Sequence, residues 1–250
     1  MVQQTSNTSR DTLFSQDGQN PHQPFAFDAE VSKVFEDMIR RSVPGYALTL
    51  QMIALIAGQY GQENSKLYDL GCSLGASTLA LRQGLQAQGC VIVGVDNSEA
   101  MLQRCADNVV LLDGHTPVDL VLADIEHADI HDASVVVLNF TLQFIAKDKR
   151  QALLQRIYAG MRRGGVLIVS EKVMFDDENE QKQHIHLHEA FKKGQGYSDL
   201  EVSRKRQSLE NVLIPESMAA HHARLKAAGF APSHTWFQCF NFVSILAYKK

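Results

Sequence analysis

Residues 67–77 read LYDLGCSLGAS, a short apolar stretch that ends in an acid, turns through two glycines and runs into small residues. This order is typical of a parallel β-strand followed by a tight turn and a helix, the place where open α/β sheets bind nucleotide-type ligands. A dinucleotide-binding loop has glycine at its middle position, because the backbone must approach a pyrophosphate. Here Ser73 occupies that position. The stretch alone is therefore compatible with a nucleotide-type ligand and with an ordinary tight turn.

Strand-like and helix-like segments alternate along the chain from this stretch onward. The strand-like segments are rich in Val, Ile and Leu and lack strict alternation of apolar and polar residues; they are KLYDL (66–70), CVIVGVD (90–96), VDLVLAD (118–124), SVVVLNF (134–140) and GVLIVSEK (165–172). Such strands suit a parallel sheet covered by helices on both faces. Residues 236–250 predict a terminal strand pair or one long strand. We expect an α/β fold with a doubly wound, mostly parallel sheet.

The domain organisation follows from where this alternation starts and stops. Residues 23–250 are expected to form a single domain, and the polar residues 1–22 before it are expected to be flexible. After the fifth strand, residues 173–215 are polar, charged and helix-prone, which predicts a helical insertion that caps the domain. A further helix is expected from Asp28 to Arg41, with Asp28 as its N-cap.

Composition argues against several classes of function. The 24 Lys and Arg residues against 28 Asp and Glu give a net charge of -4, unlike the basic surface of most nucleic-acid-binding domains. The four cysteines contain no C-x-x-C pair, so neither a zinc site nor a disulfide framework is indicated. No apolar run approaches the ~20 residues of a membrane span, and the N-terminus lacks the apolar core of a secretory signal. We expect a cytoplasmic protein that binds neither membranes nor nucleic acid directly.

Polar side chains follow three further strands, each at the point where the strand ends. Asp96 and Asn97 end the second strand, Asp124 and Ile125 follow the third, and Asn139 ends the fourth. A carboxylate at the position of Asp96 can accept both hydroxyls of a ribose, and Asp124 can accept from an adenine amino group while Ile125 covers the ring. Taken singly, Asp96 could also cap the following helix and Asp124 could simply end a strand. Together they predict one adenosine-type site at the carboxyl edge of the sheet.

Two features of the loop favour S-adenosylmethionine over a dinucleotide. The side chain of Ser73 hinders the approach of a pyrophosphate but not of a ligand without phosphate groups. Asp69, just before the turn, could attract the ammonium group of the methionine part.

The chain resembles the class I S-adenosylmethionine-dependent methyltransferases and, more closely, the carboxy-S-adenosyl-L-methionine synthase family. The segments that carry the closer resemblance are RRSVPGY (40–46), YDLGCSLGAST (68–78), VDNSEAM (95–101), VVLNFTLQF (136–144), GYSDLEVSRKRQSLENV (196–212) and WFQCFNF (236–242). The resemblance extends from Arg10 to Lys249. It implies a seven-stranded sheet of the class I methyltransferase type, with the helical insertion after strand five.

The resemblance also implies an activity and its site. Members of the family convert S-adenosyl-L-methionine and prephenate into carboxy-S-adenosyl-L-methionine and phenylpyruvate, and the product serves the 5-oxyacetyl modification of wobble uridine in tRNA. By resemblance, the adenosyl ligand is contacted by Tyr46, Gly71, Cys72, Ser73, Asp96, Asn97, Asp124, Ile125, Asn139 and Arg206. It further implies a homodimer in which the arginine reaches a neighbouring site.

The arginine has a chemical rationale beside the resemblance. A carboxylate newly attached to the methyl carbon needs a fixed cation, and a guanidinium binds a carboxylate through two parallel charge-assisted bonds. Without the family resemblance, the segment Arg204–Arg206 would be interpreted as a solvated basic turn.

Several alternatives stay open at this point. A conventional methyltransferase for a small molecule or RNA would share every residue of the adenosyl site. A nicotinamide-dependent dehydrogenase is disfavoured by Ser73, and a cofactor-binding protein without catalysis is a further alternative. No catalytic base is identified, because the amide of Asn139 does not titrate usefully. No metal is expected, since His184 and His188 share a predicted helix face without a third ligand beside them.

Overall fold

The computed structural model describes residues 10–15, 25–112 and 114–250. One seven-stranded sheet forms the centre, in the order β3-β2-β1-β4-β5-β7-β6. Its strands are β1 (Lys66–Leu70), β2 (Val91–Asp96), β3 (Val118–Leu122), β4 (Ala133–Asn139), β5 (Met161–Lys172), β6 (Ser233–Cys239) and β7 (Phe242–Tyr248). The expected α/β fold with a mostly parallel sheet is confirmed.

The sheet is parallel except at the edge formed by the two C-terminal strands, β7 and β6. β1 pairs in parallel with β2 and β4, and β5 continues this parallel part. β7 runs antiparallel to both β5 and β6, so residues 236–250 form a strand pair rather than one long strand. The strand order reverses between β1 and β4, which opens a crevice at their carboxyl ends.

The helices are α1 (Ala29–Ser42), α2 (Tyr46–Tyr60), α3 (Ala76–Gly84), α4 (Glu99–Leu111), α5 (Lys147–Gly160), α6 (Glu178–Gly194), α7 (Asp199–Leu209) and α8 (Met218–Ala228). The carboxylate of Asp28 accepts the backbone N–H of Val31, so Asp28 is the predicted N-cap of α1. Helices α5 and α8 cover one face of the sheet, and α2 and α3 cover the other.

Alternate residues of the central strands supply the two cores. In β4, Val136 and Leu138 face the layer of α5 and α8, while Val135 and Val137 face α2 and α3. All four are completely buried, which explains the apolar run without alternation. Edge strand β3 departs from this expectation, since its Leu122 is 57% exposed.

Residues 173–215 contain α6 and α7, and both helices contribute residues to the cavity at the carboxyl edge of the sheet; we refer to these two helices as the cap. Ser198 begins α7 with a capping box, in which its hydroxyl accepts the N–H of Glu201 and the Glu201 carboxylate accepts the N–H of Ser198. No helix in the described ranges is both long and apolar enough to span a bilayer.

Residues 10–15, part of the segment expected to be flexible, pack against α1 and the cap. Asp11 is 1% exposed; its N–H donates to Asp37, and its carboxylate accepts the hydroxyl of Tyr197. Arg41 stacks its guanidinium 3.8 Å from the Tyr197 ring centroid. The remaining residues of that expected segment, 1–9 and 16–22, lie outside the described part of the chain.

Candidate functional site

A cavity of about 1970 Å³ lies beyond the carboxyl ends of β1 to β4, enclosed by α1, the start of α2 and the cap. The structure brings all ten sequence-predicted site residues to its wall: Tyr46, Gly71, Cys72, Ser73, Asp96, Asn97, Asp124, Ile125, Asn139 and Arg206. A pocket for one drug-sized ligand has ~300–1,000 Å³. The cavity therefore has room for an adenosyl ligand and for a second small molecule.

The loop after β1 is held in a conformation that requires a small residue at its start. Gly71 has φ +79°, and a Cβ there would lie 2.4 Å from Cγ2 of Thr141. Ser73 has φ +50°, also in the left-handed region, which turns its backbone N–H toward the carboxylate of Asp96 at 2.9 Å. The loop is thereby tied to the end of β2.

Asp96 does not take the helix-capping role that the sequence left open for it. One carboxylate oxygen accepts the N–H of Ser73 and the other accepts the N–H of Ser98, both at 2.9 Å. Burial raises the pKa of Asp96, and the backbone N–H groups oppose that rise. Ser98, not Asp96, caps α4 with its own hydroxyl. Each carboxylate oxygen keeps one lone pair, which leaves a bidentate acceptor for two hydroxyl groups.

The ends of β3 and β4 add two further acceptors. One oxygen of Asp124 accepts the N–H of Glu126 at 2.8 Å, and the exposed side chain keeps its second oxygen for a ligand. Asn139 donates from Nδ2 to the hydroxyl of Ser77 at 3.0 Å. Its buried Oδ1 has no hydrogen-bond partner within the described residues. A buried acceptor without a partner at a cavity wall fits a ligand that brings a donor.

Cys72 and Tyr46 contribute to the wall without titrating near neutral pH. A hydrogen bond with Cys105 and burial raise the pKa of the Cys72 thiol, so the thiol is no candidate nucleophile. Burial and the charge of Asp69 raise the pKa of Tyr46. The Tyr46 ring lies 6.4 Å from that of Phe140, centroid to centroid.

Asp69 lies behind the loop rather than in the cavity wall. Its side chain is 1% exposed and accepts the hydroxyl of Thr78 at 2.7 Å. Burial raises its pKa to about 7. The carboxylate of Asp69 thus links β1 to α3. Because it is buried behind the loop, it is not positioned to contact a methionine ammonium group in the cavity.

Arg206 lies in the last turn of α7 and lines the cavity of its own chain, whereas the resemblance implies that it reaches the site of a neighbouring subunit. Its side chain is 68% exposed, and Nη1 donates to the carboxylate of Glu189 on α6 at 3.0 Å. This places a largely exposed cation at the cavity, paired with one carboxylate.

Three more cations line the same side of the cavity, and sequence reasoning missed them. They are Lys172, Lys192 and Lys205. Lys172 is the last residue of β5. The polar residues at the ends of the first four strands were selected as site candidates, and the same criterion applied to the fifth strand would have selected Lys172. Lys192 and Lys205 lie on cap helices among many other charged residues, and no local pattern distinguishes them.

The histidines of the cap have structural surroundings. The His184 ring stacks on Phe175 at 4.2 Å, and the Nε2 of His188 is 2.8 Å from the carbonyl of Ser42. Within the described ranges no three His, Cys, Asp or Glu side chains are grouped for a metal ion.

Comparison with known proteins relates the chain to one enzyme family. A family model described as a methyltransferase domain matches residues 67–165. The carboxy-S-adenosyl-L-methionine synthase of Shewanella sediminis is 50% identical over 243 residues, which cover 97% of this chain and 100% of that protein. That of Trichlorobacter lovleyi is 54% identical over 226 residues, covering 90% and 93%. The chain belongs to the carboxy-S-adenosyl-L-methionine synthase family. The resemblance drawn from the sequence is confirmed.

Solved structures agree on the fold of this carboxy-S-adenosyl-L-methionine synthase family member. Human N-acetylserotonin methyltransferase, in complex with SAM, has a TM-score of 0.59 at 18% identity over 88% of this chain and 55% of that chain. Magnesium protoporphyrin IX methyltransferase of Synechocystis, with bound SAH, has a TM-score of 0.58 at 15% identity over 85% and 87%. At such identities the likeness shows the fold alone, which is the expected class I methyltransferase type.

Proposed function

We propose that the protein converts S-adenosyl-L-methionine and prephenate into carboxy-S-adenosyl-L-methionine and phenylpyruvate. The observation that supports the proposal is a guanidinium, Arg206, in the same cavity as the adenosine-type acceptors Asp96 and Asp124. A transfer of a plain methyl group needs no cation at that place, whereas a product with a new carboxylate does. The ten wall residues are proposed as the contacts of the adenosyl ligand.

The chemistry needs a proton to leave the sulfonium methyl group. The adjacent positive sulfur acidifies that methyl group, and loss of the proton gives an ylide, a carbon nucleophile. Prephenate fragments to phenylpyruvate, releasing carbon dioxide and its ring hydroxyl as hydroxide; the hydroxide takes the methyl proton and leaves as water. The ylide carbon then forms its bond to carbon dioxide, so atoms and charge balance without an oxidant or reductant.

The protein's part in this reaction is to position the reactants and exclude water. The ylide survives only where no bulk water can reprotonate it, so the proposal requires the cap to close the cavity over the bound reactants. Asn139 is placed to orient the ligand through its free Oδ1, since an amide cannot act as the base. Arg206 is exchanged from Glu189 to the new carboxylate, which forms the stronger, bidentate pair.

A homodimer, a cytoplasmic location and a role of the product in modifying wobble uridine of tRNA belong to the same proposal. The dimer and the tRNA context rest on the family resemblance, and the cytoplasm on the four free cysteines. Light scattering on the purified protein tests the dimer.

The activity is tested by incubating the protein with S-adenosylmethionine and prephenate and following the products by mass spectrometry. We expect a product that is heavier than S-adenosylmethionine by one carboxylate, together with phenylpyruvate. Release of S-adenosylhomocysteine and a methylated acceptor would favour a conventional methyltransferase instead.

The role of Arg206 is tested by calorimetry on Arg206→Ala. The affinity for the carboxylated product should fall by at least tenfold more than the affinity for S-adenosylmethionine, since only the product has the carboxylate. Arg204→Ala is the matched control on the same helix, because Arg204 donates instead to the carbonyls of Phe14 and Ser15. Equal losses for both ligands would contradict the proposed role.

A further inference from the structure

The cavity has a positively charged side, and the proposed adenosyl ligand accounts for only one of its cations, Arg206. Lys172 at the end of β5, Lys192 on α6, and Lys205 and Arg206 on α7 line it, with Glu189 as the acid among them. Three lysines and an arginine face two carboxylates, those of Glu189 and Asp11, which leaves an excess of positive charge.

Two of these cations already have partners and two have none. Arg206 pairs with Glu189, and Lys205 donates to the hydroxyl of Ser42 at 2.8 Å and lies 3.6 Å from the Asp11 carboxylate. The ammonium groups of Lys172 and Lys192 make no hydrogen bond or ion pair within the described chain.

Leaving these two ammonium groups unpaired is costly. Lys192 is only 7% exposed, and a buried cation is normally paired. Burial, and then the charge of Lys172, lower the pKa of Lys192 to about 8; burial also lowers the pKa of Lys172. Lys192 therefore keeps most of its charge at neutral pH, and an anion beside the two lysines would relieve the repulsion between them.

The surface beside the two lysines is apolar and aromatic. The Lys172 ammonium lies 6.0 Å from the centroid of the Phe242 ring, and the His188 ring packs edge-on against Phe242 at 4.7 Å. Burial and the neighbouring lysines lower the pKa of His188 to about 3, so its ring is neutral. Since Nε2 of His188 then donates to the Ser42 carbonyl, the ring offers an uncharged face.

We propose that Lys172 and Lys192 form a dicarboxylate subsite for the second substrate, whose unsaturated ring lies on Phe242 and His188. Two ammonium groups beside the rings of Phe242 and His188 can bind a cyclic compound with two carboxylates, with one carboxylate paired to each ammonium group. The inference rests on the proposed function, in which that compound is prephenate. The subsite also separates the two substrates: strand ends β1 to β4 hold the adenosyl part, and β5 with α6 holds the dianion.

The test measures binding without turnover. S-adenosylhomocysteine lacks the methyl group and cannot react, so calorimetric titration of its complex with prephenate reports affinity alone. In Lys172→Met and in Lys192→Met, the Kd of prephenate should rise 10- to 100-fold, which corresponds to ~1.4–2.8 kcal/mol. The Kd of S-adenosylhomocysteine should stay within twofold. Lys182→Met is the matched control on α6, because Lys182 is exposed and pairs with Glu178.

Thermal unfolding separates a binding role from a structural one. The melting temperature of both variants should be unchanged or higher, because an unpaired buried charge has been removed. A prephenate Kd within twofold of the wild-type value in both variants would overturn the subsite even if the carboxylated product is formed. Lysine-dependent binding of prephenate without any carboxylated product would support the subsite and overturn the proposed function.

Discussion

Replacing Asp96 by asparagine keeps the size of the side chain and changes only its acceptors. In the wild type each carboxylate oxygen accepts one backbone N–H, from Ser73 and from Ser98, and has one lone pair left for a ribose hydroxyl. An amide has only one oxygen. Its NH₂ group would point at a backbone N–H on one side and could not accept a ribose hydroxyl there.

The expected losses follow from this count of bonds. A hydrogen bond to a charged group is worth ~1.5–3 kcal/mol. The substitution removes one of the two hydrogen bonds to the ribose and makes the acceptor of the other one neutral, which weakens binding by about 2–4 kcal/mol. This corresponds to a Kd for S-adenosylmethionine that is ~30- to 1,000-fold higher. Without ligand, the N–H left facing a donor lowers the free energy of unfolding by ~1–3 kcal/mol.

Calorimetry with S-adenosylmethionine and thermal unfolding without ligand measure the two losses separately. Ser98→Ala is the control, since it removes the cap of α4 and costs ~1 kcal/mol of stability but no acceptor of the ribose. A 2′-deoxyadenosyl ligand should lose less affinity than the ribose form on Asp96→Asn. If Asp96→Asn binds S-adenosylmethionine within twofold of the wild type, Asp96 does not hold the ribose and the assignment of the cavity fails.

Three further outcomes follow from the structure. Gly71→Ala should lower the free energy of unfolding by ~2 kcal/mol or more, because the new methyl group meets Thr141 at a positive φ, whereas Gly194→Ala, with no atom within 4 Å, should be neutral or stabilising in urea unfolding. The raised pKa of Asp69, about 7, means that the folded state keeps a proton that the unfolded state loses near pH 4, so this contribution to stability is complete below pH ~4 and disappears as pH rises to 7. Asp69→Asn should therefore gain stability relative to wild type over that range by a few kcal/mol, and a difference independent of pH would contradict the shift. Arg150→Met should cost ~3–5 kcal/mol in chemical denaturation, since Arg150 is 0% exposed and its loss leaves a buried carboxylate and three carbonyls short of donors; a cost below ~1 kcal/mol would show that the network reorganises.

The sequence predicts the adenosyl side of the cavity because a parallel sheet gathers strand ends at one edge. Asp96, Asp124 and Asn139 each follow an apolar strand, so their convergence needs no knowledge of the strand order. Arg206 could be selected only through the family resemblance, because a basic turn on a polar helix carries no local signal. The same absence of signal explains why Lys192 was missed.

The N-terminal segment shows where reasoning from composition fails. Polar residues predict flexibility because they cannot bury apolar area, but Asp11 is buried through charge and hydrogen bonds to residues far along the chain. Edge strand β3 shows the complementary case, since Val121 and Leu122 look like core residues in the sequence and remain exposed although α4 packs against the strand.

The bond between Asp11 and Tyr197 joins positions 186 residues apart. During synthesis the ribosome therefore releases the first partner long before the second, and closing so long a segment costs entropy that only later contacts repay. The central strands can pair while the cap, with Tyr197 and Lys205, is still missing. A nascent chain at that stage has the proposed ribose acceptors but no cap over them, so the compartment proposed for the carbanion forms only after those acceptors.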